Sequence, residues 1–135
     1  MASNASPLIV FNGQAREAFE FYQSVFGGEL ALNEFGPMGK EGGYPADAIM
    51  HAQLITDAGW SLMGDDSTLP GDEVVRGGSL VMVWGDDEAT LSQQFAKLAE
   101  SGDVNGPLEK QVWGDFYGVL VDKYGVRWGF NISGS

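Results

Sequence analysis

Two side chains in this 135-residue chain carry the chemistry most worth locating, His51 and Arg127. His51 is the sole histidine, and imidazole is the one side chain whose unperturbed pKa lies near neutrality, which suits a general base or proton donor. A hydrogen-bonded structural role in a strand is the commoner use of a lone histidine and stands beside it; with Asp65 or Asp66 the ring also offers a metal one nitrogen and carboxylate oxygens. Arg127 is one of seven basic residues against nineteen acidic ones. A guanidinium aimed into a pocket of so acidic a protein can clamp a carboxylate or phosphonate bidentately, or it can pair with an acid such as Asp65. Trp113, Phe116 and Tyr117 supply ring surface for stacking at a pocket rim, or else form a small secondary core. The acid pairs Asp65-Asp66 and Asp86-Asp87 invite an acid/base role, but both fall at turns, and Asp87 reads most simply as a helix N-cap.

The elements that must position these residues follow from periodicity. HAQLITDAGWSL (51–62) and YGVLVDKYGVRW (117–128) share few letters, yet each is an alternating strand, a polar turn ending in Gly59 or Gly125, and a second alternating strand, with 66 residues between matched positions. Ahead of the first hairpin, PLIVF (7–11) has strand length. In QAREAFEFYQSVFGGEL, Ala18, Phe19, Tyr22, Val25 and Phe26 recur at helical spacing until Gly27-Gly28 ends the pattern. A strand near ELALNEF leads to GPMGKEGGYPAD, which predicts a flexible loop. After a polar connector, SLVMVW repeats the strand, Gly85-Asp86-Asp87 the turn, and Leu91, Phe95 and Leu98 the helix stripe. Strand-helix-strand-strand-strand thus occurs twice.

Alternation then assigns faces. Met50, Ala52, Leu54, Trp60 and Leu62 suit the side covered by a helix, leaving His51, Gln53, Ser61, Met63 and Asp65 opposite. In the second hairpin Leu120, Val126, Trp128 and Phe130 suit the helix side, leaving Tyr117, Val119, Arg127, Gly129 and Asn131. This second set is too polar for a core and too aromatic for an ordinary wet face, so a concave binding surface shared by His51, Gln53, Tyr117, Arg127 and Asn131 is expected, with a solvated sheet face as the alternative.

Composition bounds the rest. With 44% hydrophobic residues the chain fits one domain (1–135) able to bury a core unaided, divided into a module at about 7–65, a connector at about 66–78 and a second module at about 79–132. Absent cysteine removes thiol chemistry and thiolate metal sites. A net charge of −12 repels nucleic acid and anionic membranes. Nothing in the polar N-terminus MASNAS reads as a targeting segment, no apolar run reaches the roughly 18 residues of a membrane span, and a cytoplasmic protein is the expectation.

The doubled pattern headed by PLIVFNGQAREAFEFYQSVFGGE, followed by IMHAQLITDAGWSLMGDD, VWGDFYG and VDKYGVRWGFN, resembles the vicinal oxygen chelate superfamily of glyoxalases, ring-cleavage dioxygenases and bleomycin resistance proteins. In detail it is similar to its PhnB-like branch, which often carries a 3-demethylubiquinone methyltransferase-like label. The resemblance covers nearly the whole chain. It implies an α+β fold of two βαβββ modules forming an eight-stranded, cup-shaped mixed sheet with helices on the outer face. It also implies that a metal-dependent member would converge four ligands from the first and last strands of each module. Those positions fall on Pro7, Met63, Ser79 and Gly129, with Leu8, Gly78 and Leu80 as neighbours, and none suits a divalent ion. No metal or other cofactor is therefore expected. The methyltransferase label finds no glycine-rich cofactor loop to support it. Three functions remain: a metal-independent protein that binds a small aromatic or carbonyl/anionic molecule through Gln53, Met63, Asp65, Trp113, Phe116, Tyr117, Arg127 and Asn131; an isomerase or lyase with His51 as base and Arg127 as anion anchor; and a structural dimer module without a retained site. Exposed sheet edges also predict a homodimer.

Overall fold

The computed structural model of the protein describes residues 3–69 and 71–134. Its elements run β1 (Leu8–Val10), α1 (Ala15–Phe26), β2 (Glu29–Glu34), a 3-10 helix (Gly36–Gly42), β3 (Ile49–Ile55), β4 (Ser61–Asp65), β5 (Val81–Gly85), α2 (Glu88–Ala99), β6 (Asp103–Lys110), β7 (Phe116–Val121) and β8 (Arg127–Ile132). The strand-helix-strand-strand-strand order does occur twice. The eight strands form two four-stranded mixed sheets, ordered β1-β4-β3-β2 and β5-β8-β7-β6, with the same placement of first, fourth, third and second strand in each. The chain divides into two compact units, Met1–Val75 and Arg76–Ser135, and the boundary falls inside the polar connector. Among the described residues no helix is long and apolar enough to cross a membrane.

The duplicated hairpins agree pair for pair. Leu54 faces Leu62 and Ile55 faces Ser61, while Leu120 faces Trp128 and Val121 faces Arg127, each partner displaced by the same 66 residues. Both turns close alike: the Gly59 amide donates to the Thr56 carbonyl at 2.9 Å and the Gly125 amide to the Asp122 carbonyl at 3.0 Å. Gly59 and Gly125 take φ of +97° and +81°, a left-handed conformation that a side chain resists.

In the first unit α1 buries Ala18, Phe19, Tyr22, Val25 and Phe26 against Ala52, Leu54 and Leu62 of the sheet. Phe19 packs edge-on to Tyr22 at 5.6 Å and Phe26 edge-on to Trp60 at 4.9 Å. The helix lies so close to β4 that a Cβ at Gly64 would stand 2.3 Å from Phe19 Cε1, which makes glycine the only residue that fits without repacking. In the second unit Leu91, Phe95 and Leu98 of α2 are buried, with Phe95 edge-on to Phe130 at 5.5 Å. Asp87 caps α2 as expected, its carboxylate accepting from the Thr90 amide at 3.1 Å, and hydrogen bonds from Thr90 hold its carboxyl below the ordinary aspartate value.

Two local expectations are corrected. The glycine-rich segment read as a flexible loop forms the 3-10 helix, with Gly39 buried and Phe35 stacked on Tyr44 at 4.4 Å. Met50, placed on the helix side by alternation, is exposed, whereas Ile49 is buried. The ladder explains it: Asn33 pairs with His51 but Glu34 pairs with Ile49, so Met50 is the extra residue of a bulge and strand parity flips there.

Candidate functional site

Each sheet has one face under its helix and one away from it, and pairing fixes which side chains share a row of the helix-free face. On the second sheet the rows run in three bands. Arg127 lies beside Val121, and Val121 beside Asp103. Next come Met82, Gly129 and Val119, paired across β5, β8 and β7. The third band is Trp84, Asn131, Tyr117 and Glu109. A charged band, a small apolar band and an aromatic-amide band therefore follow one another at intervals of about 7 Å, two residues of strand rise.

The third band is braced from behind. Asn131 donates its side-chain amide to the Asp115 carboxylate at 3.1 Å, and the other oxygen of Asp115 accepts from the Gly134 amide at 3.2 Å. Trp113 packs edge-on to Tyr117 with ring centroids 6.5 Å apart and remains 61% exposed, while Trp84 is 75% exposed. Such open indole surface beside a neutral amide is suited to stacking against a planar ligand. Arg127 is half-buried, and among the described residues no ion pair engages its guanidinium. The ion pair with a nearby acid, one of the two readings of this residue, is therefore absent among them.

On the helix-free face of the first sheet, Leu8, Met63, Gln53 and Ala31 form one row and Ser61, Ile55 and Glu29 another. Asn33 pairs with His51 and Val10 with Asp65. No hydrogen bond engages the imidazole among the described residues, so nothing there selects a tautomer or orients the ring as a base normally requires. Among the described residues the Asp65 carboxylate accepts only from the Ser67 amide at 3.1 Å, and its neighbour Asp66 is consumed in the core, accepting from the Gly13, Ala15 and Ile49 amides.

His51, Gln53, Met63 and Asp65 lie in the first four-stranded sheet, and Tyr117, Arg127 and Asn131 in the second. Within the second sheet Phe116 does not share the face of Tyr117. It pairs with Ile132 on the helix side, as its neighbour Tyr117 on the opposite face demands. Ser79 is corrected as well. It precedes β5, and the first-strand residue that pairs with Gly129 is Met82, equivalent to Leu8 beside Met63 in the first sheet. Counting back from the helix missed this because only the ladder fixes register. Met82, Trp84 and Asp115 went unremarked in the sequence; alternation carried into SLVMVW places Met82 and Trp84 on one face, but the bracing role of Asp115 has no local signature.

A family-type metal finds no fit. The paired positions hold Leu8 with Met63 and Met82 with Gly129, which offer alkyl groups, thioethers and a bare backbone where a divalent ion needs imidazole or carboxylate. Among the described residues no group of three or more His, Asp or Glu is placed to hold a metal ion.

A family model described as the Glyoxalase/Bleomycin resistance protein/Dioxygenase superfamily matches residues 5–130. Protein YjdN of Escherichia coli (strain K12) is 29% identical, over 94% of this chain and 93% of its own length. Among solved structures, protein PA1353 from Pseudomonas aeruginosa superposes with a TM-score of 0.82 at 31% identity, covering 98% of each chain. A putative 3-demethylubiquinone-9 3-methyltransferase, PhnB protein, from Bacillus cereus gives 0.79 at 25%, covering 97% of this chain and 100% of that one.

Proposed function

We propose, from the premise that the chain belongs to the glyoxalase/bleomycin resistance protein/dioxygenase superfamily, that it binds a small aromatic molecule bearing an anionic or carbonyl oxygen, without a metal. The observation that carries this reading is the band order of the second sheet: a guanidinium with no ion pair among the described residues, a small apolar strip, then Asn131 between Trp84 and Tyr117. Arg127 holds the oxygen through charge-assisted hydrogen bonds, and the ring lies along the strip toward the aromatic band. An isomerase or lyase using His51 is less well supported, because the imidazole has no orienting partner among the described residues.

Titration calorimetry with benzoate tests the reading. Arg127→Ala is expected to cost roughly 2 to 4 kcal/mol of binding, since the ligand charge loses its partner in a half-buried setting, and Trp113→Ala less, on the apolar contribution alone. Benzoate bound equally by wild type and Arg127→Ala would sink the proposal. The same reading predicts that dialysed protein carries no stoichiometric divalent metal; elemental analysis finding one zinc, nickel or iron per chain would contradict it.

A further inference from the structure

Gly129 sits in the middle band, where its bare backbone makes a low point between Met82 and Val119. That low point is filled from the edge strand. A Cβ placed on Gly129 would lie 2.8 Å from Met82 Cε, 3.3 Å from Met82 Sδ and 3.1 Å from Leu80 Cδ1. The tips of two flexible side chains thus occupy the ground over the glycine. The first module solves the same position in reverse: Met63 stands on the hairpin strand and Leu8 on the edge strand, so each module keeps one thioether at this pair of positions while the strand that supplies it is exchanged.

We infer that Met82 is a displaceable plug over Gly129 that sets the size of ring the second sheet accepts, admitting one aromatic ring beside Arg127 and excluding fused pairs. The inference rests on the binding reading above. Gly129 is the next residue after Arg127 on this face, about 7 Å along the strand, so an acid seated on the guanidinium brings its first ring over the glycine. A thioether suits that place. It is unbranched, turns aside through three torsions, and makes favourable sulfur contacts with ring edges. A second fused ring turned across the sheet toward β5 must displace the whole Met82 tip and meets Leu80.

Calorimetric titration of the full chain with benzoate and with 2-naphthoate tests this. Wild type is expected to prefer benzoate. Met82→Ala raises the naphthoate-to-benzoate affinity ratio about tenfold, the scale of a few methylenes in an apolar pocket. Gly129→Ala pushes the plug outward and weakens benzoate about tenfold; it also lowers the thermal midpoint, and Met82→Ala in the same chain restores that midpoint, as a direct clash between the two positions requires. Benzoate binding that depends on Arg127, with an unchanged naphthoate-to-benzoate ratio in Met82→Ala, overturns the plug and leaves the binding reading standing. Failure of both acids to bind wild type and both variants overturns the two together.

Discussion

Replacing Asp66 with alanine is expected to destabilise the protein by about 4 kcal/mol, because two buried amides and one part-buried amide each lose an acceptor worth roughly 1 to 3 kcal/mol. The carboxylate is 3% exposed and accepts from Gly13 at 2.8 Å, Ala15 at 3.0 Å and Ile49 at 2.9 Å. It joins the turn after β1, the first residue of α1 and the start of β3, so its removal loosens three elements together. The N-cap residue Gln14 makes no side-chain cap of its own. Asp65→Ala is the matched control. Among the described residues its carboxylate has only an exposed hydrogen bond, from the Ser67 amide, and a loss within about 0.5 kcal/mol is expected, as for ordinary surface changes. Urea unfolding of the two variants decides; equal losses would refute the assignment.

Trp128→Ala is the second large effect, expected at about 4 kcal/mol. The ring is fully buried, and its indole N–H donates to the Asp122 carboxylate at 2.9 Å. The other Asp122 oxygen accepts from the Tyr124 and Val126 amides, so the tryptophan belongs to the network that shapes the second hairpin turn. Trp128→Phe keeps most of the apolar volume and is expected to cost less, about 2 kcal/mol, through the lost hydrogen bond to a buried charge. Unfolding followed by far-ultraviolet circular dichroism separates them. A Trp128→Phe loss as large as that of alanine would mean that the hydrogen bond, and not the packing, dominates this position.

Those two networks mark where reading the sequence stops. Period-two alternation placed Ala52, Leu54, Leu62, Leu120, Val126, Trp128 and Phe130 on the buried side, and all seven are buried, because hairpin pairing around a tight turn leaves little freedom of register. The same rule failed at Met50, where one bulged residue reverses parity without altering composition. Asp65 and Asp66 are adjacent and identical in type, yet one is solvent-facing and the other buried among amides contributed from positions 13, 15 and 49. Such partners lie far apart in the chain, and no local pattern announces them. The site shows the same division. Arg127, Asn131 and Tyr117 share a face that is legible from one hairpin, but Met82 and Trp84 enter through the parallel pairing of β5 with β8, a contact between residues 47 positions apart whose register no turn fixes.

The central claim, that the helix-free face of the second sheet takes an aromatic acid on Arg127, is tested most directly by backbone amide chemical-shift mapping during a benzoate titration. The account predicts saturable shifts at Arg127, Gly129, Asn131 and Tyr117, small shifts along α2, and their loss in Arg127→Ala. Saturable shifts confined to other residues, or a wild-type spectrum that benzoate leaves unmoved, would contradict it.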